Sequence, residues 1–203
     1  MEFKPWILCA YYTPNYQSVA EDYLLQSIPK LAFPYHVCQV DSKINWFGNI
    51  LFIPTFILEC LLTFPTTNIV YNDVDSTINC YPSLFDNIQE DLGLYYLDYK
   101  EHYGRNGKYE LLSGTMFFKN CPKVIELVKI WKTKCDQSYR RNGCTEQYIL
   151  NEMLKDNKDI TVFNLPRTYC YINSLPNGNK PFIPLINPVI EHFQESRKHR
   201  GNK

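Results

Sequence analysis

Short apolar runs alternate with segments of helical periodicity along most of the chain. The apolar runs predict strands over residues 6–12, 35–40, 69–71, 92–97, 111–118, 160–163 and 168–172. Between them, apolar residues at helical spacing predict helices over residues 17–28, 49–63, 123–134 and 145–154. Strands that alternate with helices are typical of an α/β sandwich with a mostly parallel sheet, and this is the fold class that we predict.

The helix predicted over residues 123–134 has the clearest amphipathic pattern. Val124, Leu127, Val128 and Trp131 share one face, which we expect to lie against the sheet. The helix predicted over residues 49–63 is mostly apolar and contains Pro54, which predicts a kink there.

The composition describes one globular domain over residues 1–203. The chain is 45% apolar and 21% charged, with 21 basic and 21 acidic side chains. Because the net charge is zero, no overall field attracts nucleic acid or an anionic membrane, and any such contact requires a local patch. The apolar window over residues 50–64 is interrupted by Pro54 and Glu59, so we expect no membrane anchor.

The eight cysteines include no C-x-x-C pair, which argues against a structural zinc site. Several of them lie in apolar runs, where a cysteine packs as a small hydrophobic residue. We therefore expect a reduced, cytoplasmic protein, located in the host cytoplasm if the chain is viral.

Two carboxylates, Asp73 and Asp75, follow the apolar run over residues 69–71. In an extended backbone, residues two apart point to the same side, where a pair of carboxylates can hold a divalent cation. A motif this short is expected by chance about 0.5 times in a chain of this length. Its place at a strand end favours a binding role, because α/β proteins bind ligands beyond the carboxyl ends of their strands.

Tyr11, Tyr12 and Thr13 also end a predicted strand, and they fall at the same edge of the sheet. Trp46 and Asn49 lie between the second strand and a helix. Trp46 has two open interpretations, because it can stack on a nucleobase or sugar or simply pack into the core.

A late histidine, His192, is followed by Arg197 and Lys198, whose cations suit a diphosphate. A lone histidine is more often a structural hydrogen-bonding residue, and basic chain ends are often frayed. On residue chemistry alone, both interpretations stay open.

Ser113, Gly114 and Thr115 place small hydroxyl groups and a glycine in a predicted strand. The glycine permits close approach of a ligand and the hydroxyls can bind sugar, although a β-bulge explains the same residues. Glu146 and Gln147 begin a helix, where Glu146 either complements the helix dipole or acts in a cleft as a base or acceptor contact. The glycine-containing polar loop over residues 100–108 is a candidate mobile lid or an ordinary connection.

Taken in order, these segments resemble a GT-A-type glycosyltransferase of the nucleotide-diphospho-sugar transferase group. The resemblance extends over nearly the whole chain and is more specific than any one motif. Its segments are Tyr11-Tyr12-Thr13, Trp46-Phe47-Gly48-Asn49, residues 70–75, residues 81–85, residues 112–115, Glu146-Gln147, Leu165-Pro166 and residues 189–197. The fold that it implies is a Rossmann-like α/β/α sandwich.

In the glycogenin-like branch of this fold, a late histidine completes the metal site that the acidic pair begins. The resemblance therefore assigns Asp73, Asp75 and His192 to Mn²⁺ or Mg²⁺. It also places Arg197 and Lys198 near the diphosphate, with the basic stretch over residues 188–203 closing the donor site.

The resemblance assigns the other segments to the nucleotide-sugar, for which we expect a UDP-sugar. Glu146 and Gln147 are the implied catalytic pair, with Glu146 contacting the acceptor and Gln147 orienting the sugar. The residues assigned to the donor are Tyr11, Tyr12, Thr13, Trp46, Asn49, Asp73, Ser113, Gly114 and Thr115.

Two departures from the family pattern affect these assignments. Ile53-Pro54 stands where related sequences often carry a lysine, which removes one expected phosphate contact. Glu146 stands where an aspartate often precedes the glutamine. Because the lysine is absent, the resemblance does not identify all the residues that contact the donor phosphates. Because Glu146 replaces an aspartate, the residues of the acceptor site are not all identified either.

The acceptor has several open identities. The chain is rich in Asn, Ile, Lys and Tyr, as expected of an AT-rich phage or large-virus genome, and this makes a hydroxylated base in DNA one candidate. A glycan or a protein fits equally well, and a non-catalytic nucleotide-sugar-binding module is a further alternative. We expect a monomer or a weak homodimer without a membrane partner.

Overall fold

The computed structural model describes residues 5–43, 45–105, 107–140, 143–175 and 178–196. Its strands are β1 (Trp6–Tyr12), β2 (Tyr35–Gln39), β3 (Asn68–Asn72), β4 (Ser76–Ile78), β5 (Leu92–Asp98), β6 (Tyr109–Phe118), β7 (Val162–Asn164), β8 (Tyr171–Ile172) and β9 (Ile190–His192). Its α-helices are α1 (Gln17–Asp22), α2 (Leu24–Ser27), α3 (Trp46–Leu51), α4 (Ile53–Thr63), α5 (Tyr99–Tyr103), α6 (Pro122–Arg140) and α7 (Glu146–Asp156). Short 3-10 turns lie at Pro14–Tyr16, Ile28–Lys30, Ser83–Asp86 and Arg167–Tyr169.

Six strands form the central sheet, in the order β2-β1-β3-β6-β5-β7. β6 pairs antiparallel with both of its neighbours, and the remaining pairs are parallel. Five strands therefore run in one direction, which confirms the prediction of a mostly parallel sheet. Because β6 is reversed, its middle and first half lie at the edge where β1 and β3 end.

Helices cover both faces of this sheet, as an α/β/α sandwich requires. One hydrophobic cluster includes Ile57 of α4, Leu127 of α6 and Leu150 of α7. The second cluster lies on the opposite face and includes Leu24 of α2 and Phe85. Alternate residues of β1 belong to the two clusters, and this burial on both faces explains its continuous apolar run.

The apolar segment Trp46–Thr63 is divided into α3 and α4. Phe52 separates the two helices, and Pro54 lies in the first turn of α4, where its missing N–H is not needed. By length and composition Trp46–Thr63 is the one candidate bilayer-crossing helix among the residues described. In the structure it is a broken helix pair, and Ile57 and Leu61 are fully buried in the core.

The helix predicted over residues 17–28 is also broken, with α1 and α2 meeting at Tyr23. The Tyr23 ring stacks on Phe193 with the ring centres 4.5 Å apart. Its hydroxyl donates to Glu195 Oε1 at 2.9 Å. The break thus lets Tyr23 hold the segment that follows β9.

A small second sheet, in the order β4-β9-β8, brings the end of the described chain back to β3. Ser76 pairs with His192 in the antiparallel register of β4 and β9, and Ile172 pairs with His192 in the parallel register of β8 and β9. The strand predicted over residues 168–172 is shorter than expected, because its first part forms the turn Arg167–Tyr169. β9 (Ile190–His192) lies within the basic stretch predicted over residues 188–203, so part of that stretch is a strand.

The Asn120 side chain ties the end of α4 to the end of β6. Its amide nitrogen lies 2.8 Å from Leu61 O, 2.8 Å from Phe64 O and 3.2 Å from Thr67 O. These carbonyls belong to the last turn of α4 and the following turn, where a helix leaves carbonyls without amide donors. Phe64 O also accepts from the Thr67 amide at 3.0 Å.

We expect Asn120→Ala to lower the free energy of unfolding by ~1–3 kcal/mol, because it removes the side-chain donor from Leu61 O at the end of α4. Urea denaturation followed by far-UV circular dichroism measures the change. Asn87→Ala is the matched control, since the exposed Asn87 amide donates to one carbonyl only, that of Ser83. Equal losses in the two variants would contradict the prediction.

Candidate active site

Asp73, Asp75 and His192 converge where β3 and β9 end. Each offers one ligand atom, and these three atoms all lie within 4.8 Å of one another. Asp75 and His192 are buried, whereas Asp73 is partly exposed. Two carboxylates and an imidazole at this spacing form a donor set suited to a divalent transition metal.

Main-chain hydrogen bonds hold the two aspartates in place. The Asp73 amide donates to Gly114 O at 2.8 Å, which joins the end of β3 to β6. The Phe193 amide donates to Asp75 O, and the Glu195 amide donates to Asp75 Oδ2, both at 2.9 Å. The acidic pair is therefore fixed on one side by β6 and on the other by the segment after β9.

A buried hydrogen-bond chain determines which nitrogen of His192 carries a proton. The Thr115 hydroxyl donates to Asn72 Oδ1 at 2.9 Å and lies 2.8 Å from His192 Nε2. Because that hydroxyl has given its proton to Asn72, it accepts from Nε2–H. The lone pair of Nδ1 then faces the aspartates, as a metal ligand requires.

Gly114 leaves space in the centre of this group. A Cβ built on Gly114 would lie 3.0 Å from His192 Cε1, 3.2 Å from His192 Nδ1 and 3.4 Å from Asp73 Oδ2. A side chain at position 114 would therefore press on the His192 ring and come into contact with Asp73. This crowding gives a steric reason for glycine at position 114.

The electrostatics of the group match a cation. Although Asp73 is partly exposed as a residue, removal of its carboxyl group from water, and then the charge of Asp75, raise the pKa of Asp73 well above its ordinary value. Burial lowers the pKa of His192 to about 4, so the imidazole is neutral at neutral pH. A neutral imidazole beside two crowded carboxylates has the chemistry that a bound divalent ion needs.

A cleft of about 480 Å³ opens over these residues. Its walls contain most of the side chains that the sequence assigned to a site. They are Tyr11, Tyr12, Thr13, Trp46, Asn49, Asp73, Asp75, Ser113, Gly114, Glu146, Gln147 and His192. Thr115 is fully buried behind the wall, where it supports His192. Arg197 and Lys198 lie outside the described residues.

One part of the cleft lining, called the aromatic end below, contains Tyr11, Tyr12 and Trp46. The Tyr11 hydroxyl donates to Asn49 O at 2.7 Å, which connects the end of β1 to α3. The Asn49 side chain accepts from the Lys43 amide at 2.8 Å. Trp46 begins α3 and also lines this end, so the segments predicted to hold a nucleoside are brought together here.

A second part of the cleft lining, called the polar wall below, is a chain of polar side chains. Ser113 Oγ donates to Glu146 Oε1 at 2.7 Å and lies 3.4 Å from Gln147 Oε1. Gln147 Nε2 donates to Glu110 Oε1 at 3.1 Å. The Trp131 indole donates to Glu146 O at 2.9 Å, so the amphipathic face of α6 anchors the start of α7.

The bulge that the sequence left open is present in β6. The pairing of β5 with β6 jumps from Leu94–Met116 to Tyr95–Leu112, so Ser113, Gly114 and Thr115 have no partners in that register. The bulge and the binding-site interpretation are therefore compatible, because the bulge places Ser113 and Gly114 in the cleft wall.

Several cleft residues were not identified from the sequence. Glu110 precedes the bulge, and only the antiparallel course of β6 brings it beside Gln147. Tyr71 donates to Asp73 Oδ1 at 2.8 Å from within β3, where the sequence predicted only a strand. Tyr103 of α5 lines the cleft, so part of the predicted polar loop is a short helix at the site.

No protein-family model matches the sequence, and no curated protein matches it. Solved structures do match the fold. A glycosyltransferase involved in glycosylation of the major capsid of PBCV-1 aligns over 97% of both chains, with a TM-score of 0.67 and 14% identity.

Two further matches are more distant in shape or length. The glycosyltransferase GlyE of Streptococcus pneumoniae TIGR4 has a TM-score of 0.60 and 15% identity, and it aligns over 95% of this chain but 56% of its own. The galactosyltransferase LgtC, solved with donor and acceptor sugar analogues, has a TM-score of 0.52 and 14% identity over 93% of this chain and 87% of its own. Together with the sheet order and the acidic pair after β3, these likenesses establish that the chain has the GT-A fold of glycosyltransferases.

Proposed function

We propose that this chain transfers a glycosyl group from a nucleotide-diphosphate sugar to an acceptor hydroxyl. The observation that carries the proposal is the convergence of Asp73, Asp75 and His192 in the cleft of a GT-A fold. A non-catalytic binding module is disfavoured by the same observation, because such a module has no need to keep three ligands and a histidine with a fixed tautomer.

The cation in this proposal is Mn²⁺ or Mg²⁺, held by Asp73, Asp75 and His192. When bound, it supplies positive charge that stabilises the departing diphosphate. Thr115 and Asn72 orient His192 for this role, and Gly114 leaves the space between the ligands. Thr115 thus supports the metal site from behind, which differs from the sugar contact expected of it.

The nucleoside of a UDP-sugar is proposed to occupy the aromatic end of the cleft, against Tyr11, Tyr12 and Trp46. Thr13 and Asn49 border the same end. Aromatic faces stack on a nucleobase, and the short polar side chains suit ribose hydroxyls. Arg197 and Lys198 remain proposed diphosphate contacts on chemical grounds.

The sugar is proposed to lie over Ser113 and Gly114, with Gln147 orienting it. Glu146 is the proposed contact for the acceptor hydroxyl. Burial of Glu146 and its bond from Ser113 keep this carboxyl in one place beside the sugar.

A glycan or glycoprotein is the acceptor that we favour. The matched PBCV-1 glycosyltransferase acts in capsid glycosylation, and it has nearly the same extent as this chain. In addition, Glu110 and Glu146 add two carboxylates to a cleft lining that already holds Asp73 and Asp75, and these would repel nucleic-acid phosphates. A hydroxylated DNA base remains the second candidate.

A reducing, cytoplasmic location is part of the proposal. All eight cysteines are unpaired in the structure. Four of them are buried, as expected of small packing residues.

We expect Mn²⁺ at about 100 times its dissociation constant to raise the melting temperature by about 5–10 °C, because binding to the folded state alone stabilises it. Asp73→Asn should abolish this rise. Without metal, the variant should be at least as stable as the wild type at pH 7, because the raised pKa means that ionised Asp73 disfavours the folded state. Differential scanning fluorimetry measures both.

Asp136→Asn is the control for that experiment, since Asp136 pairs with Lys132 on the surface of α6. It should keep the full response to Mn²⁺. A metal-induced rise that survives in Asp73→Asn would refute the ligand assignment.

A panel of nucleotide-sugars incubated with Mn²⁺ should show donor hydrolysis by the wild type, with a UDP-sugar preferred. Asp75→Ala should reduce the rate by at least about 100-fold, more than the loss usual for residues that only support a metal ligand. Chromatography of the released nucleoside diphosphate measures the rate. Turnover that is unaffected by a metal chelator, or by Asp75→Ala, would refute the metal-dependent mechanism.

Once a donor is known, we expect transfer to simple glycans and little transfer to DNA that contains hydroxymethylated bases. Radiolabelled sugar counted on each acceptor separates the two outcomes. Transfer to the modified DNA that exceeds transfer to every glycan would reverse the assignment of acceptor.

A further inference from the structure

The polar wall of the cleft extends beyond the proposed catalytic pair to Glu110, which Tyr99 contacts from outside the cleft lining. The Tyr99 hydroxyl, at the start of α5, donates to Glu110 Oε2. The other carboxylate oxygen accepts from Gln147 Nε2 at 3.1 Å. Neither Glu110 nor Tyr99 belongs to the metal group or to the aromatic end.

Two interactions keep Tyr99 in place as a donor. The hydrogen bond to Glu110, followed by burial, raises the pKa of Tyr99 to about 12, so its hydroxyl stays protonated at neutral pH. Lys108 Nζ lies 4.8 Å from the centre of the Tyr99 ring, on its face. Glu110 is thus oriented by a donor that does not ionise.

A carboxylate only accepts hydrogen bonds, whereas an amide has one accepting end and one donating end. Glu110 therefore selects the NH₂ end of Gln147. The carbonyl end is left on the side of Ser113, with Oε1 3.4 Å from Ser113 Oγ, in the cleft wall. If the amide were reversed, two oxygens would face each other across the present 3.1 Å contact.

We propose that Glu110 is a positioning residue that holds the Gln147 amide with its carbonyl oxygen toward the bound sugar. This inference rests on the proposed function. A carbonyl oxygen at that place accepts from sugar hydroxyls and stabilises the positive charge that develops at the anomeric carbon. A reversed amide would present N–H groups to the same centre and oppose that charge.

Glu110→Gln tests the orientation without changing the shape of the wall. A glutamine at position 110 pairs with either end of Gln147, so the preference is lost while the contact remains. We expect kcat for donor hydrolysis to fall about 10-fold or more, with KM for the donor within about 2-fold of wild type and an unchanged melting temperature. Glu126→Gln, an exposed change on α6, is the control.

A reciprocal exchange separates positioning from simple loss of a contact. Gln147→Glu alone sets two carboxylates side by side and should be nearly inactive. The double variant Glu110→Gln/Gln147→Glu restores an N–H donor at 110 and an accepting oxygen toward the sugar. We expect it to exceed the Gln147→Glu single variant by about 10-fold. If the loss of kcat in the double variant equals the product of the losses in the two single variants, the proposal is overturned.

A measurement on the free protein makes the inference independent of turnover. In ¹H–¹⁵N spectra, the side-chain NH₂ signals of Gln147 are assigned by their loss in Gln147→Leu. One of its protons should be shifted downfield and protected from exchange in the wild type, and both properties should be lost in Glu110→Leu. If the Gln147 NH₂ signals are the same in the wild type and in Glu110→Leu, the pairing is refuted. If the Gln147 signals depend on position 110 but the protein hydrolyses no nucleotide-sugar, the pairing is supported and the proposed function is refuted.

Discussion

The pairing of β9 with β4 is the interaction on which the candidate site depends. It places His192 opposite Ser76, one residue after Asp75, although the two segments are more than 100 residues apart in the chain. The Asp75 carboxylate then accepts from the Glu195 amide, and Tyr23 holds the same segment through Phe193 and Glu195. Without this return of the chain, the acidic pair would remain a two-residue motif at a strand end.

The reversal of β6 is the second constraint on the site. Because β6 is antiparallel, its residues before Thr115 extend beyond the edge at which β3 ends. The bulge at Ser113–Thr115 uses that course to direct a hydroxyl toward Glu146 and Gln147, and to leave Gly114 beside His192. One strand thus contributes to both the metal group and the polar wall.

Local pattern was enough to predict the fold class and the acidic pair. The apolar runs of β1, β3 and β5 and the amphipathic face of α6 are features of consecutive residues, and they were recognised as such. The resemblance to the GT-A fold then identified His192, and the structure brings it beside Asp73 and Asp75. The kink predicted at Pro54 is found as the break at Phe52 between α3 and α4. The break at Tyr23 was not predicted, because Tyr23 makes its contacts with Phe193 and Glu195, which are far along the chain.

Glu110 and Asn72 could not be recognised from the sequence for a related reason. Each acts through a partner far along the chain, Gln147 in one case and Thr115 in the other. Their roles depend on the antiparallel register of β6 and on the direction in which each hydrogen bond is donated. Neither quantity is a property of a short run of residues.

The chain from Asn72 through Thr115 to His192 also determines when the site becomes ordered. Its members are fully or almost fully buried, and they take their positions as β3, β6 and β9 assemble. Imidazole rotation and tautomer choice are therefore decided during folding rather than in each catalytic cycle. A ligand therefore binds to donor atoms that are already in position, so that little of its binding energy is consumed in rearranging the protein.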